Sequence, residues 1–164
     1  MQTYHLRRTE KALTDPAELL DVIRGQKHMT LALCQDNQPY LVTMNYIFDA
    51  EQRCFYFHCA LQGKKMDYWS ANPLVWGQVL EDRGYAAGQC SYRYRTVHFK
   101  GQVDFLADSE EKRRVLSRMI EEMEPDPEPV SRKWIHGSDL ANVAVGRVRV
   151  LEMSGKQSPA PKRG

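Results

Sequence analysis

The stretch from Phe55 to Pro73, FYFHCALQGKKMDYWSANP, brings together the side-chain types that most often do chemistry. An imidazole and a thiol stand side by side at His58 and Cys59, and two ammonium groups follow at Lys64 and Lys65. His58 and Cys59 fall on a predicted strand, where neighbouring side chains point to opposite faces of the sheet. The pair therefore predicts neither a zinc site nor a cysteine nucleophile with its histidine base.

Gly63, Lys64 and Lys65 lie between that strand and a short predicted helix that ends at Asn72-Pro73. The N-terminal end of a helix attracts anions through its free backbone N–H groups, and adjacent lysines add full positive charges. A phosphate group is the ligand that such a turn favours. On composition alone, two solvated lysines at a helix start are the simpler interpretation, so this motif does not decide between the two.

A second polar cluster lies in YRYRTVHFKG, from Tyr92 to Gly101. Alternation along a strand puts Tyr92, Tyr94, Thr96 and His98 on one face and Arg93 and Arg95 on the other. Such a pattern fits an ordinary exposed sheet face. Aromatic, hydroxyl and guanidinium groups in one place also suit a planar, phosphorylated ligand.

Periodicity and capping predict the elements that position these residues. Asp15-Pro16-Ala17-Glu18 has the Asp cap, first-turn Pro and Glu of a helix start, and Asp108 with Glu111 starts a second helix. The segment from Pro125 to Pro129 is predicted to break that second helix. Strands are predicted over Met29–Cys34, Tyr40–Phe48, Cys54–Ala60, Leu74–Leu80, Tyr92–Leu106 and Val143–Met153.

Six strands with few helices predict a mainly β, antiparallel fold, since the first three are joined by short polar turns such as Asp36 to Pro39. A sheet this small is expected to remove its exposed edges by closing into a barrel. The 164-residue chain is expected to form one domain over residues 1–154. Residues 155–164 are predicted to be a disordered basic tail, because Gly, Ser and Pro accompany the lysines there.

Composition argues against several kinds of partner. Lys plus Arg number 23 and Asp plus Glu 21, and a net charge of +2 gives no broad basic surface for nucleic acid. No apolar run reaches the roughly 18 residues of a membrane helix, and the N-terminus lacks the apolar core of a secretory signal. Cys34, Cys54, Cys59 and Cys90 include no CxxC pair, which predicts free thiols and a cytoplasmic location.

Four motifs in order resemble those of a known superfamily. They are the aromatic strand ending in His58-Cys59-Ala60, then Gly63-Lys64-Lys65, then Asn72-Pro73, and then Tyr92-Arg93-Tyr94 with Thr96-Val97 before Gly101. This order resembles the FMN-binding split-barrel proteins of the pyridoxamine 5′-phosphate oxidase superfamily, and within them the subgroup related to 5-nitroimidazole-resistance proteins. The resemblance runs from about Arg7 to about Lys156, and it implies a six-stranded antiparallel split barrel.

The resemblance also implies a cofactor, FMN, with its phosphate on Lys64 and Lys65. The other residues implied to lie near the ring or the phosphate are Met44, Asn45, Tyr46, His58, Arg95 and Thr96. A homodimer with FMN in a groove at the interface is implied as well. The family commonly has a proline where this sequence has Thr43, so the backbone beside the flavin departs from the pattern there.

The function that follows is an FMN-dependent oxidoreductase acting on an unknown small molecule, with His58 as catalytic proton donor or substrate-orienting group. A non-catalytic flavin- or haem-binding carrier or sensor would need the same cradle and remains an alternative. A barrel that stacks single-stranded nucleic acid on Tyr92 and Tyr94 is a third alternative, which the net charge disfavours. Trp134 either covers an apolar patch or caps the pocket of a partner subunit, and the first role is favoured.

Overall fold

The protein folds into one curled sheet with four helices packed around it, and the computed structural model describes residues 8–135 and 140–159. The helices are α1 (Pro16–Gly25), α2 (Lys64–Ala71), α3 (Ser109–Met123) and α4 (Pro127–Trp134). The strands are β1 (Ala12–Leu13), β2 (His28–Gln35), β3 (Gln38–Asn45), β4 (Ile47–Asp49), β5 (Cys54–Ala60), β6 (Leu74–Ala86), β7 (Ser91–Phe105) and β8 (Val143–Gln157). No helix in the described ranges has the length and apolar character needed to cross a bilayer.

The sheet is antiparallel and open. Its strands follow the order β3-β2-β6-β7-β8-β5-β4, and the short β1 pairs with β8. The path has two ends, β3 and β4, and no ladder joins them within the described residues. The closed barrel expected from strand count is therefore wrong. The mainly β split barrel is confirmed, with two short strands, β1 and β4, beyond the six that were predicted.

Two glycines that face aromatic rings let the sheet curl tightly around its core. Gly77 on β6 is paired with Phe99 on β7, and a Cβ atom at Gly77 would lie 2.1 Å from that ring. Gly146 on β8 is paired with Phe57 on β5, where the corresponding distance is 2.3 Å. Phe99 in turn stacks on Phe55, with ring centroids 4.3 Å apart. The rings thus occupy space that only glycine leaves free.

The predicted helix starts and first hairpin are confirmed. The Asp15 side chain accepts a hydrogen bond from the Ala17 N–H at 2.9 Å, which caps α1. Asp108 accepts one from the Glu111 N–H at 2.7 Å and caps α3 in the same way. The β2–β3 hairpin turns through Asp36 and Asn37, whose φ angles of 49° and 59° are those of a type I′ turn.

The structure departs from the prediction in two places. The strand predicted over Tyr40–Phe48 is interrupted at Tyr46, because the chain leaves its partner β2 there and begins to pair with β5. The segment from Pro125 to Pro129 was predicted to break the second helix, and this is confirmed, because α3 ends at Met123; the helix that follows was not predicted. Asp126 and Pro127 start a new helix, α4, since proline is compatible with the first turn, where no intrahelical N–H donor is needed.

The C-terminal boundary also lies further along the chain than predicted. Strand β8 continues to Gln157, and Gly155 lies opposite both Leu13 on β1 and Val97 on β7. The division after residue 154 is therefore too early, because residues 155–157 belong to the sheet. Residues 160–164 of the predicted tail lie outside the described residues, as do residues 1–7 of the predicted domain.

Replacing Gly77 with alanine should destabilise the fold, because the added methyl group would overlap the Phe99 ring. Overpacking of this kind costs about 1–3 kcal/mol of unfolding free energy, measurable by urea denaturation. Gly25→Ala is the matched control, since nothing lies within 4 Å of a Cβ atom there. A Gly77→Ala protein as stable as the Gly25→Ala protein would contradict the packing described here.

Candidate functional site

The site lies in the split between β3 and β5. Strand β3 pairs with β2 along one edge only. Strand β5 pairs with β8 over its whole length, but its ladder with β4 covers only Cys54 to Tyr56. From Phe57 to Ala60, one edge of β5 therefore has no ladder partner within the described residues. Only three residues separate the end of this open edge from the start of α2, so the N-terminal turn of α2 lies beside the split.

The N-terminal turn of α2 has the geometry of an anion site. Gly63 precedes the helix with φ of +126°, a conformation that side chains rarely adopt, and no side chain in the described structure caps the helix. The Gly63 carbonyl accepts from the Met66 N–H at 2.8 Å. The first N–H groups of a helix have no carbonyl partner within it, and here no side chain replaces one. Lys64 and Lys65 stand on this uncapped turn.

Lys64 connects α2 to β3 across the split. Its ammonium group lies 4.5 Å from the ring centroid of Tyr40 on β3 and 5.6 Å from that of Tyr68 on α2. The two tyrosine rings are themselves 5.2 Å apart. A cation above aromatic faces is held by their negative electrostatic potential, and its outer side stays available for an anion. Sequence reasoning identified Lys64 but missed both tyrosines, since Tyr40 is 24 residues away.

Lys65 acts on His58 instead. The His58 side chain is open to solvent on one side, but the protein packed around the rest of the imidazole partly desolvates it and lowers the pKa of His58; the positive charge of Lys65 lowers it further. Both effects favour the neutral ring at neutral pH. His58 is exposed on its strand while Cys59 is buried, as the predicted alternation requires. Burial also raises the pKa of the Cys59 thiol, whose sulfur lies 3.7 Å from that of Met66, so this thiol is poorly suited to act as a nucleophile.

His58 faces a cavity of about 490 Å³ between the sheet and helices α3 and α4. Trp134, at the end of α4, forms part of the wall and is 56% exposed. This arrangement fits the favoured prediction for Trp134, that of covering apolar surface in its own chain. Sequence reasoning missed the cavity because it missed α4. The Asp126-Pro127 signal was available, since the same Asp-Pro pair starts α1 at residue 15.

A sequence model of the pyridoxamine 5′-phosphate oxidase family matches residues 15–157. The chain belongs to this family. The match extends from the cap of α1 to the last residue of β8, so it includes both edges of the split and the lysine turn. No curated protein sequence matches significantly.

Three solved structures illustrate the proteins that share this fold. A candidate 5-nitroimidazole antibiotic resistance protein from Bacteroides thetaiotaomicron is 24% identical, with a TM-score of 0.74 over 89% of this chain and 86% of that one. The flavocytochrome Anf3 from Azotobacter vinelandii is 15% identical, with a TM-score of 0.80 over 97% and 74%. An FAD- and haem-binding protein from Mycobacterium smegmatis is 18% identical, with a TM-score of 0.74 over 94% and 77%.

In this member of the pyridoxamine 5′-phosphate oxidase family, the three residues implied to lie beside the ring have different environments. Met44 and Tyr46 are buried in the core, at 8% and 3% exposure. The Tyr46 hydroxyl donates to the Ile23 carbonyl at 2.5 Å, and burial raises the pKa of Tyr46 well above its usual value. Asn45 is exposed, and its amide donates to the Lys27 carbonyl at 3.4 Å. Contact of all three with a flavin stays a prediction; for Met44 and Tyr46 it would have to use the backbone.

Arg95 and Thr96 are already engaged within the chain. The Arg95 guanidinium donates to Glu81 and lies 2.6 Å from Asp21, and the hydrogen bond to Glu81 is the main cause of its raised pKa. Thr96 is 3% exposed and donates to the Val79 carbonyl at 3.0 Å. Their contact with a flavin stays a prediction. Glu81 and Arg95 are cross-strand partners, but the register shift after Asp82 hides this pairing from the sequence.

Removing the charge of Lys65 should raise the pKa of His58, because that charge disfavours the imidazolium form. The change is Lys65→Met, and the measurement is an NMR pH titration of the His58 ring protons. Lys64→Met is the matched control, since the Lys64 ammonium lies over Tyr40 and Tyr68. An equal rise in both variants, or none in Lys65→Met, would contradict the assignment of Lys65 to His58.

Proposed function

We propose that the protein binds FMN in the split, with the phosphate on the N-terminal turn of α2 and the ring between the edges of β3 and β5, and that it acts as an oxidoreductase on a small molecule. The observation that carries the proposal is the uncapped α2 turn with two lysines beside two unpaired strand edges. Family membership and the flavin named for two of the similar structures support it.

The residues at the split fit a flavin phosphate chemically. Unpaired N–H groups at the start of α2 can donate to phosphate oxygens, and the helix dipole favours the negative charge. Lys64, held over Tyr40 and Tyr68, would add a charge-assisted hydrogen bond from one side. The open edge of β3 offers backbone N–H and C=O groups for the polar edge of a ring. These groups come from alternate residues of β3, such as Thr43 and Asn45, because the residues between them direct their backbone groups to β2.

FMN, when bound, supplies hydride or single-electron transfer. The chain contributes the positions of the reactants and a proton. His58 is exposed next to the split, and its neutral ring can accept a hydrogen bond or a proton at one nitrogen and donate from the other. It is the proposed proton donor or substrate-orienting group. The proposed location is cytoplasmic, because the four cysteines are free thiols.

A haem-binding carrier or sensor is the second candidate. The observation that favours it is the neutral imidazole of His58 facing a largely apolar cavity, since haem iron is often held by a histidine in an apolar pocket. Titration with haemin separates the two proposals. A His58-dependent Soret band with no uptake of FMN would favour haem. Uptake of FMN followed by rapid bleaching on stopped-flow mixing with NADH or NADPH would favour the oxidoreductase over any carrier.

Lys64→Met and Lys65→Met should each weaken FMN binding at least about tenfold, because a hydrogen bond to a charged group contributes about 1.5–3 kcal/mol. Flavin fluorescence quenching on titration measures the dissociation constant. Chromatography of the flavin released on heating distinguishes FMN from FAD. Lys112→Met, on α3 and away from the proposed phosphate site, is the matched control. Undiminished affinity in both variants would contradict the phosphate cradle.

A homodimer is proposed from the outer face of the sheet. Register aligns Leu41, Ala32, Trp76, Lys100 and Glu152 in one row across five strands. Leu41 and Trp76 remain 65% and 48% exposed in the single chain, which leaves an apolar patch next to charged residues. A patch of this kind on a sheet face suits a two-fold, self-complementary contact. The proposed partner is a second copy of the chain, and Asn45 at the split borders the same face.

Trp76→Glu should shift the protein from dimer to monomer, because the new carboxylate would have to be desolvated at the centre of the contact, where the neighbouring cation, Lys100, already lies 3.8 Å from Glu152. Light scattering coupled to size-exclusion chromatography measures the mass. Trp134→Glu is the control: it changes an equally exposed tryptophan on α4, away from the sheet face. A wild-type protein that is monomeric at all concentrations, or a Trp76→Glu protein that stays dimeric, would overturn the proposal.

A further inference from the structure

The cavity in front of His58 differs in character from the lysine turn on the other side of the same strand end. Its walls come from one face of α3, from α4 and from the start of β8. The lining side chains are mostly aliphatic, thioether or indole groups. They are Leu116, Met119, Ile120, Met123, Val130, Trp134, Ile135 and Val143, and the polar members are His58, Glu124 and Asn142.

The lining excludes some ligand classes. Among its described residues there is no lysine or arginine, so an anionic group inside it would have no cation to pair with. Glu124, the one acidic member, would repel an anion. Transfer of an unpaired charge onto such apolar surface is costly, whereas transfer of an uncharged ring is favourable. The cavity volume, about 490 Å³, lies within the range of small-molecule sites, roughly 300–1,000 Å³.

His58 supplies the polar contact in this apolar setting. It lies at the end of β5, beside the open strand edge, and it also forms part of the cavity wall. A molecule in the cavity would thus have its hydrogen-bonding atom at the side nearest the split. Lys65 acts on the His58 ring electrostatically but is not part of the cavity wall. A small number of directional polar groups within apolar walls is the usual arrangement in small-molecule sites.

We infer that this cavity binds an uncharged, largely apolar aromatic molecule that makes one hydrogen bond to the His58 imidazole. The inference rests on the proposed function, in which this molecule is the substrate brought beside the flavin. It narrows the substrate class: a phosphorylated or otherwise anionic compound is rejected by the walls, and the apolar faces of Trp134 and Met123 pack against the ring.

The test uses the neutral fluorescent probe N-phenyl-1-naphthylamine and its displacement by three naphthalenes, on the full chain with and without added FMN. 2-Naphthol should displace the probe at least about tenfold better than 2-naphthyl phosphate, because the cavity offers the dianion no cation. 2-Naphthol should also displace the probe about two- to tenfold better than naphthalene does, because only 2-naphthol can form a hydrogen bond to His58. His58→Phe should abolish this preference for 2-naphthol over naphthalene and should leave the preference over 2-naphthyl phosphate unchanged. Equal displacement by the phosphate, or an unchanged preference for 2-naphthol over naphthalene in His58→Phe, overturns the inference.

Two variants assign the probe to this cavity. Trp134→Glu should weaken probe binding at least about tenfold by placing a charge in the wall. Tyr85→Glu, at a similarly exposed aromatic on β6, is the matched control and should leave probe binding unchanged. Equal effects of the two substitutions overturn the inference, because the probe would then be binding elsewhere. Met123→Lys, whose side chain is half-buried at the end of α3, provides an independent second variant.

The outcomes separate this inference from the proposed function, because the probe readout does not use the flavin. If the three naphthalenes displace the probe in the expected order but the protein takes up no FMN, the flavin proposal is overturned and the inferred class of ligand stands. If the protein takes up FMN but the naphthalenes do not displace the probe in the expected order, the inferred class of ligand is overturned and the flavin proposal stands. Competitive displacement of the probe by FMN or by haemin also overturns the inference, since the cavity would then belong to the cofactor.

Discussion

The fit of aromatic rings over glycines is the contact on which the rest of the molecule depends. Phe57 covers Gly146 and Phe99 covers Gly77, in positions where any larger side chain would collide with the ring. Phe57 also packs on the indole of Trp69, with centroids 5.2 Å apart, and Trp69 is the fully buried residue of α2. The position of the lysine turn relative to the split is therefore fixed from inside, through an aromatic contact that begins at a glycine.

Consecutive residues at the end of β5 and at the start of α2 contact different parts of the protein, because the backbone points their side chains in different directions. On β5, Phe57 and Cys59 face the core while His58, between them, faces outward. On α2, successive residues are about 100° apart around the helix axis, so Lys64 reaches Tyr40 while Lys65 acts on His58. One strand end and one helix turn thus present a cationic surface toward the split and a neutral imidazole toward the apolar cavity. No long-range rearrangement is needed to separate the two chemistries.

Local signals in the sequence predicted most of the elements but not whether the sheet closes. Asp15 and Asp108 cap helices as predicted because capping depends on residues only a few positions apart. Whether the sheet closes depends on β3 and β5 failing to pair, and these strands share no local pattern that decides it. The alternation of Val42, Met44 and Tyr46 did contain the information that these side chains point inward. The family resemblance implies which positions lie near the flavin, but it does not determine whether each side chain points toward the flavin or into the core.

The site residues divide in the same way. Lys64, Lys65 and His58 were implied by the family resemblance, and the glycine, the two lysines and the strand end that mark them are local features of the sequence; their contact with a flavin stays a prediction. The acidic partners of Arg95 could not be predicted from the sequence, since Asp21 lies 74 residues earlier and Glu81 is related to it through an irregular register. Burial of Thr96 was missed for a comparable reason: the hydroxyl is satisfied by the Val79 carbonyl of the adjacent strand. Polar side chains on a long strand can hydrogen-bond to the neighbouring strand as readily as to a ligand.

Helix α4 forms one wall of the cavity, and few contacts hold it to the rest of the protein. It buries none of its residues completely, its Glu128–Arg132 pair is solvent-exposed, and the Arg113 side chain holds its end by a 2.9 Å hydrogen bond to the Ile135 carbonyl. Separating α4 from α3 would break the Arg113–Ile135 hydrogen bond, while the Glu128–Arg132 pair, which lies within α4, and every ladder of the described sheet would stay intact. In the proposed complex, fraying of this one short helix would set the residence time of the cavity ligand, while the curled sheet would keep the flavin side rigid. Ligand exchange at one side of His58 and cofactor retention at the other would then be independent properties of the same chain.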